Sequence, residues 1–339
     1  MGKQIRLAYL DYLKSFLIIL VVVGHVIQFN FKDYDFNLIF RYIYSFHMPL
    51  FMFVSGFLCY KPELKTSSLP HKLGRLYIPF FSWFVVSALI FHPISDFPGL
   101  LKNVILTPDT GLWFLWVLGL CIILLFAVSW ISRKAHVDFL ISSCVLMAGV
   151  LLFEVLTKCH ILGVQMLSFQ LPFFLLGYFC NRYQAVWDKY ALPLTSIFLT
   201  LFLFLAFFWF RKDDIMFFRL SLPGQSLSAY AYRSMTALCG SLGIWGAFRL
   251  CFTRISLYDH KAGKFFSLLG ASTLIIYASH MIFLQLISKF IDYSKYSCIK
   301  VLIVSVAVLG LSFFLNLLLL KNAFTKVVFI GQFQKKTAD

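Results

Sequence analysis

Acidic residues are scarce in this chain, and charged residues of either sign are few. Its 339 residues include 14 Asp and Glu against 30 Lys and Arg, and all charged residues together make up 13%. Soluble domains average about 25% charged residues. Hydrophobic residues make up 60% of the chain and aromatic residues 19%. This composition excludes an ordinary soluble domain and indicates an integral membrane protein.

Paired cysteines are also lacking. None of the eight cysteines forms a C-x-x-C pair with another, and most lie within or at the ends of apolar runs. The sequence therefore predicts neither a zinc site nor a disulfide framework, and we expect no metal. The first apolar run is preceded by Lys3 and Arg6, as in a signal peptide, but it is long enough to span a membrane and lacks a small-x-small cleavage site. We expect it to be a retained first helix.

The net charge of +16 has two readings. A basic chain can bind nucleic acid, but in a multi-pass membrane protein excess Lys and Arg mark cytoplasmic loops next to anionic lipid. The composition favours the second reading, so we expect contacts with membrane lipids and none with nucleic acid.

Ten segments match the length of a membrane-spanning helix, which is about 20 mostly apolar residues. We find no repeat, no low-complexity linker and no long charge run, so the sequence predicts one all-α transmembrane domain over residues 1–339. The predicted spans are residues 9–29, 42–60, 76–92, 112–131, 139–157, 164–180, 191–210, 234–252, 267–289 and 299–320.

The distribution of Lys and Arg predicts the orientation. Outside the spans, 17 basic residues lie on the side of the N-terminus and 9 on the opposite side. Basic loops stay in the cytoplasm, so both termini are predicted to be cytoplasmic. The loop at residues 211–233 is an exception, because it carries 4 basic residues on the predicted outer side.

Three ionisable residues interrupt the first span. Lys14 and His25 are eleven residues apart, which at 100° per residue is about three turns plus 20°, so both lie on one face and roughly 16 Å apart along the axis. Asp11 precedes Lys14 by three residues, close enough to pair with it. A cation near the cytosol and a base deeper in the membrane would fit an extended carrier molecule, with its anionic head at the cation and its reactive tip at the base. Alternatively, Lys14 snorkels to headgroups and His25 is a polar packing residue.

Further polar and aromatic residues are predicted at the outer level of His25. His47 begins the second span, Trp113 and Trp116 open the fourth, and Glu154 lies near the outer end of the fifth. Two histidines, a carboxylate and two indoles at one depth suit an acceptor-binding site. The alternatives are an interfacial aromatic belt and a structural acid.

Basic residues cluster at the predicted cytoplasmic ends of the spans. Arginine binds phosphate through two parallel hydrogen bonds, and lysine binds it as a point charge. Positive-inside topology alone also explains such residues. The residues are Lys72, Arg75, Arg182, Arg249 and Arg254.

Several motifs resemble one family of membrane enzymes. The most specific are LDYLKSFLIILVVVGH, at residues 10–25, and IYSFHMPLFMFVSGFL, at residues 43–58; RLYIPFFSW, GLWFLW, LPFFLLGYFCNR and ASTLIIYASH add support. Over nearly its whole length the chain resembles the membrane acyltransferase-3 family, in particular its short members similar to fucose 4-O-acetylases. The family commonly places Arg or Lys ahead of a histidine in the first helix, and Lys14 and His25 match this pattern.

The resemblance implies a ten-helix O-acyltransferase in a cell membrane, such as the bacterial inner membrane. It would move an acyl group, acetyl in our reading, from cytoplasmic acetyl-CoA to a hydroxyl of a surface carbohydrate or its precursor. Of the site residues, the resemblance itself supports Lys14 and His25. Together with the residues singled out above, our catalytic candidates are His25, Asp11 and Lys14. The donor-binding candidates are Lys14, Lys72, Arg75 and Arg182, and the acceptor-binding candidates are His47, Trp113, Trp116 and Glu154. Many relatives carry a fused hydrolase-like domain, and we expect this chain to act without one, unaided or through a partner.

Two other classes of protein remain open from the residues alone. Intramembrane His, Glu and Lys also build proton relays in secondary transporters. A flippase or a receptor-like binding protein would use the same residues only structurally. Transfer or hydrolysis of labelled acetyl-CoA by purified protein separates the enzyme from both.

The orientation makes a prediction for single cysteines introduced into a cysteine-free background. Positions 68, 185 and 260 should be labelled only after the membrane is permeabilised, and position 103 should be labelled in intact cells, because basic loops stay inside. Labelling of position 68 from outside would reverse the orientation and the predicted depth of His25.

Overall fold

The computed structural model describes residues 2–108, 111–157, 161–211, 227–252, 260–291 and 297–333; of residues 2–7 and 227 it describes the backbone alone. Every regular element in these ranges is helical. The α-helices are α1 (Gly2–Asn30), α2 (Leu38–Cys59), α3 (Leu69–Phe91), α4 (Phe97–Leu106), α5 (Trp113–Ala135), α6 (Phe139–Thr157), α7 (Val164–Arg182), α8 (Gln184–Lys189), α9 (Ala191–Phe207), α10 (Leu227–Phe252), α11 (Lys261–Ala271), α12 (Thr273–Ser288), α13 (Cys298–Leu319) and α14 (Ala323–Ile330). Short 3₁₀ turns occur at Tyr34–Phe36, Thr66–Ser68, Ile94–Asp96 and Ile161–Gly163.

Eight helices in the described residues are long and apolar enough to cross a membrane. They confirm the prediction of an all-α integral membrane protein, whereas the number of ten spans stays a prediction. Two predicted spans differ from this set. Helix α9 has only 17 residues, and the span predicted at residues 267–289 is replaced by α11 and α12, which are bent by 74°. Helices α4, α8 and α14 lie outside the predicted spans.

By their contacts, the residues divide into two compact units. One comprises Met1–Val54 with Tyr183–Phe314, and the other comprises Ser55–Arg182 with Leu315–Asp339. Each unit is described by itself below. Asp11, Lys14, His25 and His47 belong to the first unit.

In the first unit, α1 packs against α10, α11 and α12. Helix α1 runs without a break, and its apolar side chains Leu13, Leu17 and Val21 are fully buried. Because a continuous helix keeps the 100° spacing, Lys14 and His25 remain on one face of α1. The backbone of α1 therefore fixes the distance between the cation and the base.

The break between α11 and α12 lies next to a close contact between the end of α11 and α1. A side chain at Gly270 would overlap the carbonyl oxygen of Asp11 and lie 2.8 Å from the carbonyl carbon. The hydroxyl of Ser15 donates to the carbonyl oxygen of Phe266, which fixes the same contact one turn earlier. Ser272, at the bend, is buried, and its backbone N–H donates to Leu268 and Leu269. One continuous span was predicted because the apolar pattern does not reveal this close approach.

In the second unit, α14 packs on α3. The indole N–H of Trp83 donates to the carbonyl oxygen of Phe329 at 3.1 Å. Gly331 ends α14 with φ 69°, and a side chain there would overlap the carbonyl oxygen of Arg75. Glycine fits this left-handed cap and this close contact together.

The contact between α1 and α11 predicts the effect of Gly270→Ala. The added methyl group has no room, so we expect a loss of about 1–3 kcal/mol of stability, as for other overpacked sites. Gly310→Ala is the matched control, because nothing lies within 4 Å of a side chain at this helical position. Thermal unfolding in detergent should show a lower melting temperature for Gly270→Ala and no decrease in melting temperature for Gly310→Ala. Equal melting temperatures would contradict the close packing.

Candidate active site

Asp11 and Lys14 form an ion pair on α1. Nζ of Lys14 lies 2.7 Å from Oδ1 of Asp11, and the side chains are 21% and 31% exposed. Ser267 of α11 donates to Oδ2 of Asp11 at 3.4 Å. Partly exposed pairs are screened by solvent and contribute little to stability. The ammonium group of Lys14 is therefore able to turn to another anion at small cost.

His25 lies further along the same face of α1 and has a defined tautomer. Its Nδ1 lies 2.9 Å from the carbonyl oxygen of Val21, one turn earlier. A carbonyl oxygen only accepts, so Nδ1 of the neutral ring carries the hydrogen and Nε2 carries the lone pair. The residue is half-buried. This arrangement leaves Nε2 as the nitrogen that accepts a proton.

His47 lies near His25 across the ring of Tyr44. The Tyr44 ring centroid is 6.0 Å from that of His25 and 4.9 Å from that of His47. His47 is buried, and its Nδ1 lies 2.7 Å from the carbonyl oxygen of Ile43. The hydroxyl of Tyr44 donates to Oε1 of Gln28, which is also on α1. The ring of Tyr44 therefore contacts both imidazoles, and its hydroxyl ties α2 to α1.

A third histidine, His280, lies beside His25, although the sequence analysis did not select it as a candidate. The ring of His280 on α12 has its centroid 4.9 Å from that of His25, with the planes at 60°. Nδ1 of His280 lies 2.7 Å from the carbonyl oxygen of Tyr277 and 3.1 Å from that of Ile276. The only signal in the sequence was a histidine in the apolar run ASTLIIYASH, which does not reveal its neighbours.

The remaining acceptor-binding candidates belong to the second unit. Trp116 is half-buried, and its Nε1 donates to the carbonyl oxygen of Leu162 at 3.1 Å. Trp113 is half-buried at the start of α5. Glu154 is half-buried on α6, and no hydrogen bond or ion pair to it occurs among the described residues.

Three of the donor-binding candidates also belong to the second unit. Lys72 and Arg75 are three residues apart near the start of α3, so they are neighbours on the helix surface; Lys72 is half-buried and Arg75 exposed. Arg182 is exposed at the end of α7, where its guanidinium lies 5.9 Å from the ring centroid of Phe139. All three cations are accessible on the surface of this unit.

Arg249 differs from these cations, because its charge is already neutralised. Its Nε and Nη2 donate to the two carboxylate oxygens of Asp188, both at 2.9 Å, and its Nη1 donates to the Tyr9 hydroxyl at 3.3 Å. The arginine side chain is buried between Tyr9 and Trp245. Arg249 therefore joins α8 to α10 and is no free phosphate ligand. Arg254 lies outside the described residues.

Metal-ligating side chains do not gather in the part of the chain that the structure describes. It contains no group of three or more His, Cys, Asp or Glu able to hold a metal ion.

Fold and site together define a multi-pass, all-helical membrane protein with a cation and a histidine on one face of its first helix. The model of the acyltransferase-3 family, described as an acyltransferase domain, matches residues 7–321. The chain belongs to this family, which confirms the resemblance found in the motifs. No solved structure matches it.

Two curated relatives carry the name Nodulation protein NolL. The protein from Sinorhizobium fredii (strain NBRC 101917 / NGR234) is 32% identical over 190 residues, which cover 52% of this chain and 49% of the relative. The protein from Mesorhizobium japonicum (strain LMG 29417 / CECT 9101 / MAFF 303099) is 23% identical over 296 residues, which cover 81% and 76%. The chain thus spans about half the length of the first relative and about three quarters of the second.

Proposed function

We propose that this protein is a membrane O-acyltransferase that moves an acyl group, in particular acetyl, from acetyl-CoA to a hydroxyl of a carbohydrate or its precursor. Membership of the acyltransferase-3 family supports the reaction class. The observation that carries the mechanism is the hydrogen bond from Nδ1 of His25 to the carbonyl oxygen of Val21, which leaves Nε2 as a base.

His25 acts as the general base. A sugar hydroxyl is a weak nucleophile, so removal of its proton in the transition state accelerates attack. Nε2 of His25 takes the hydroxyl proton as the oxygen attacks the thioester carbonyl carbon. The carbon–sulfur bond then breaks, and the thiolate of CoA receives the proton from His25. The products are an ester and a free thiol, and the base returns to its starting state.

Lys14 holds the donor on the same face of α1. Its separation of roughly 16 Å from His25 matches an extended carrier arm between an anionic group and a reactive thioester. Asp11 keeps the ammonium oriented through the 2.7 Å ion pair until the donor arrives. In the second unit, Lys72, Arg75 and Arg182 are our further candidates for binding the phosphates of CoA. As the basic loops indicate, we propose that the donor approaches from the cytoplasm and that both termini are cytoplasmic.

The acceptor sugar binds at the outer level of His25. His47 lies across Tyr44 from His25 and is suited to orient a hydroxyl toward the base. Aromatic rings such as Trp113 and Trp116 pack on the apolar faces of sugars, and Glu154 accepts hydrogen bonds from hydroxyl groups. The partners of the protein are accordingly the acyl donor, a glycan or lipid-linked sugar, and the membrane lipids.

One observation favours a secondary transporter as the alternative. Transporters build substrate sites from broken helices, and α11 and α12 are bent by 74° within a few residues. The two functions differ in their products. Purified protein incubated with labelled acetyl-CoA and sugar acceptors transfers label if it is an acyltransferase, whereas a transporter moves intact substrate across sealed vesicles without forming an ester.

The role of His25 predicts the effect of His25→Ala. Loss of a general base costs typically 10²- to 10⁴-fold in rate, so we expect a fall of this size in acetyl transfer at unchanged expression and donor binding. His92→Ala, which removes an exposed histidine, serves as the control and should behave like the parent. Near-normal turnover of His25→Ala would show that His25 only packs.

The role of Lys14 predicts weaker donor binding in Lys14→Ala. A hydrogen bond to a charged group contributes about 1.5–3 kcal/mol, so acetyl-CoA affinity should fall by at least an order of magnitude. Lys14→Arg should restore part of it. The measurement is a calorimetric titration of the detergent-solubilised protein.

Two controls separate donor binding from other effects of this substitution. Asp11→Asn/Lys14→Ala removes the carboxylate that Lys14→Ala leaves unpaired. Lys300→Ala removes a half-buried lysine near the start of α13. Parental affinity in Lys14→Ala and in the double variant would mean that Lys14 only reaches the lipid headgroups.

A further inference from the structure

His280 carries a buried nitrogen that the proposed mechanism has not used. The residue is 2% exposed. Among the described residues, none provides a hydrogen-bond partner for its Nε2. Its Nδ1 is near the carbonyl oxygens of Tyr277 and Ile276, which only accept, so Nδ1 carries the hydrogen and Nε2 carries the lone pair. A buried acceptor without a donor is costly. The position of Nε2 of His280 beside His25 therefore suggests a role in the site.

The two imidazoles have the same tautomer. Because Nδ1 of His25 and Nδ1 of His280 each donate to their own helix, both Nε2 atoms are acceptors. Two neutral acceptors form no hydrogen bond with each other. The two rings lie beside each other, with centroids 4.9 Å apart, and Nε2 of His280 has no partner in the described part of the chain. A positive charge on the ring of His25 is therefore stabilised by this unpaired lone pair.

We propose that His280 is a positioning residue for the catalytic base: the unpaired lone pair of its Nε2 stabilises the positive charge that His25 gains when it takes the proton of the acceptor hydroxyl. The proposal rests on the proposed role of His25. The hydroxyl O–H bond breaks, Nε2 of His25 holds the proton, and the departing thiolate of CoA takes it as the carbon–sulfur bond breaks. His280 is neutral before and after the reaction.

No other group around His25 is equally suited to this task. The titratable and charged groups that the structure places near it are Tyr44 and His47 of α2, His280 of α12 and Arg211. Arg211 repels a cation, and the hydroxyl of Tyr44 is bonded to Gln28. The ring of His47 contacts Tyr44, and its Nε2 is not one of the buried nitrogens that lack a partner in the described part of the chain. His280 also belongs to the element that packs on α1 behind the base.

Two substitutions of His280 distinguish the effect of losing the Nε2 acceptor from the effect of altered packing. An asparagine amide reaches the position of Nδ1, so His280→Asn keeps a donor for the backbone carbonyl and removes the acceptor beside His25. A glutamine carbonyl reaches the position of Nε2, so His280→Gln keeps the acceptor. We expect kcat/KM to fall roughly 10- to 100-fold in His280→Asn and to stay within a few-fold of the parent in His280→Gln.

The pH profile of kcat/KM provides the readout that packing alone would not change. Its acidic limb reports the essential base of the free enzyme. Without the lone pair of His280 beside its ring, protonated His25 is less stabilised and His25 is a weaker base, so the limb should move to lower pH in His280→Asn and stay in place in His280→Gln. Equal losses in both variants with an unmoved limb, or parental activity in His280→Asn, would overturn the proposal.

His25→Ala, measured in parallel, distinguishes this proposal from the proposed function. If His25→Ala is inactive and His280→Asn is normal, only the role of His280 is wrong; if His25→Ala is active, the base itself is misassigned. Melting temperatures in detergent show whether each variant is folded. Should His280→Asn fail to accumulate, His280→Met, an apolar replacement of similar size, takes its place with the same expected loss.

Discussion

The candidate site depends on a hydrogen bond made within a single helical turn. His25, His47 and His280 each donate from Nδ1 to a backbone carbonyl oxygen three or four residues earlier on the same helix. In hydrocarbon an unsatisfied donor costs several kcal/mol. Breaking this hydrogen bond is therefore unfavourable, and the bond fixes the orientation of the ring relative to its helix. The three helices α1, α2 and α12 thereby present imidazoles of one tautomer, and the proton-accepting nitrogens follow from the backbone.

The sequence was sufficient for the parts of the site that depend on one helix. The spacing of Lys14 and His25 determines their shared face once α1 is continuous, and the offset of three residues determines the pair between Asp11 and Lys14. The long apolar runs likewise predicted the all-α membrane fold. These features follow from helical geometry and hydropathy, which are local properties of the chain.

Features that depend on contacts between distant segments were not predictable. The break at Ser272 reflects the fit of Gly270 against Asp11, two residues far apart in sequence. For Arg249 the sequence left phosphate binding and positive-inside topology both open, because its partner Asp188 lies 61 residues earlier, on a helix that the apolar pattern did not reveal. Arg233, one of the basic residues counted between the predicted spans, likewise lies on α10, where it donates to the carbonyl oxygen of Arg211 at 2.6 Å.

Helix α9 has a consequence for the lipid around it. Its 17 residues rise about 26 Å at 1.5 Å per residue, which is less than the roughly 30 Å of a typical hydrocarbon core. Its carboxyl end is anchored, because the hydroxyl groups of Tyr42 and Tyr232 donate to the carbonyl oxygens of Leu203 and Leu205. A helix of this length is at the lower limit for crossing a bilayer, and local thinning of the bilayer shortens the distance that it has to span. Acyl-chain length in the surrounding lipid is therefore a variable that acts on this side of the first unit.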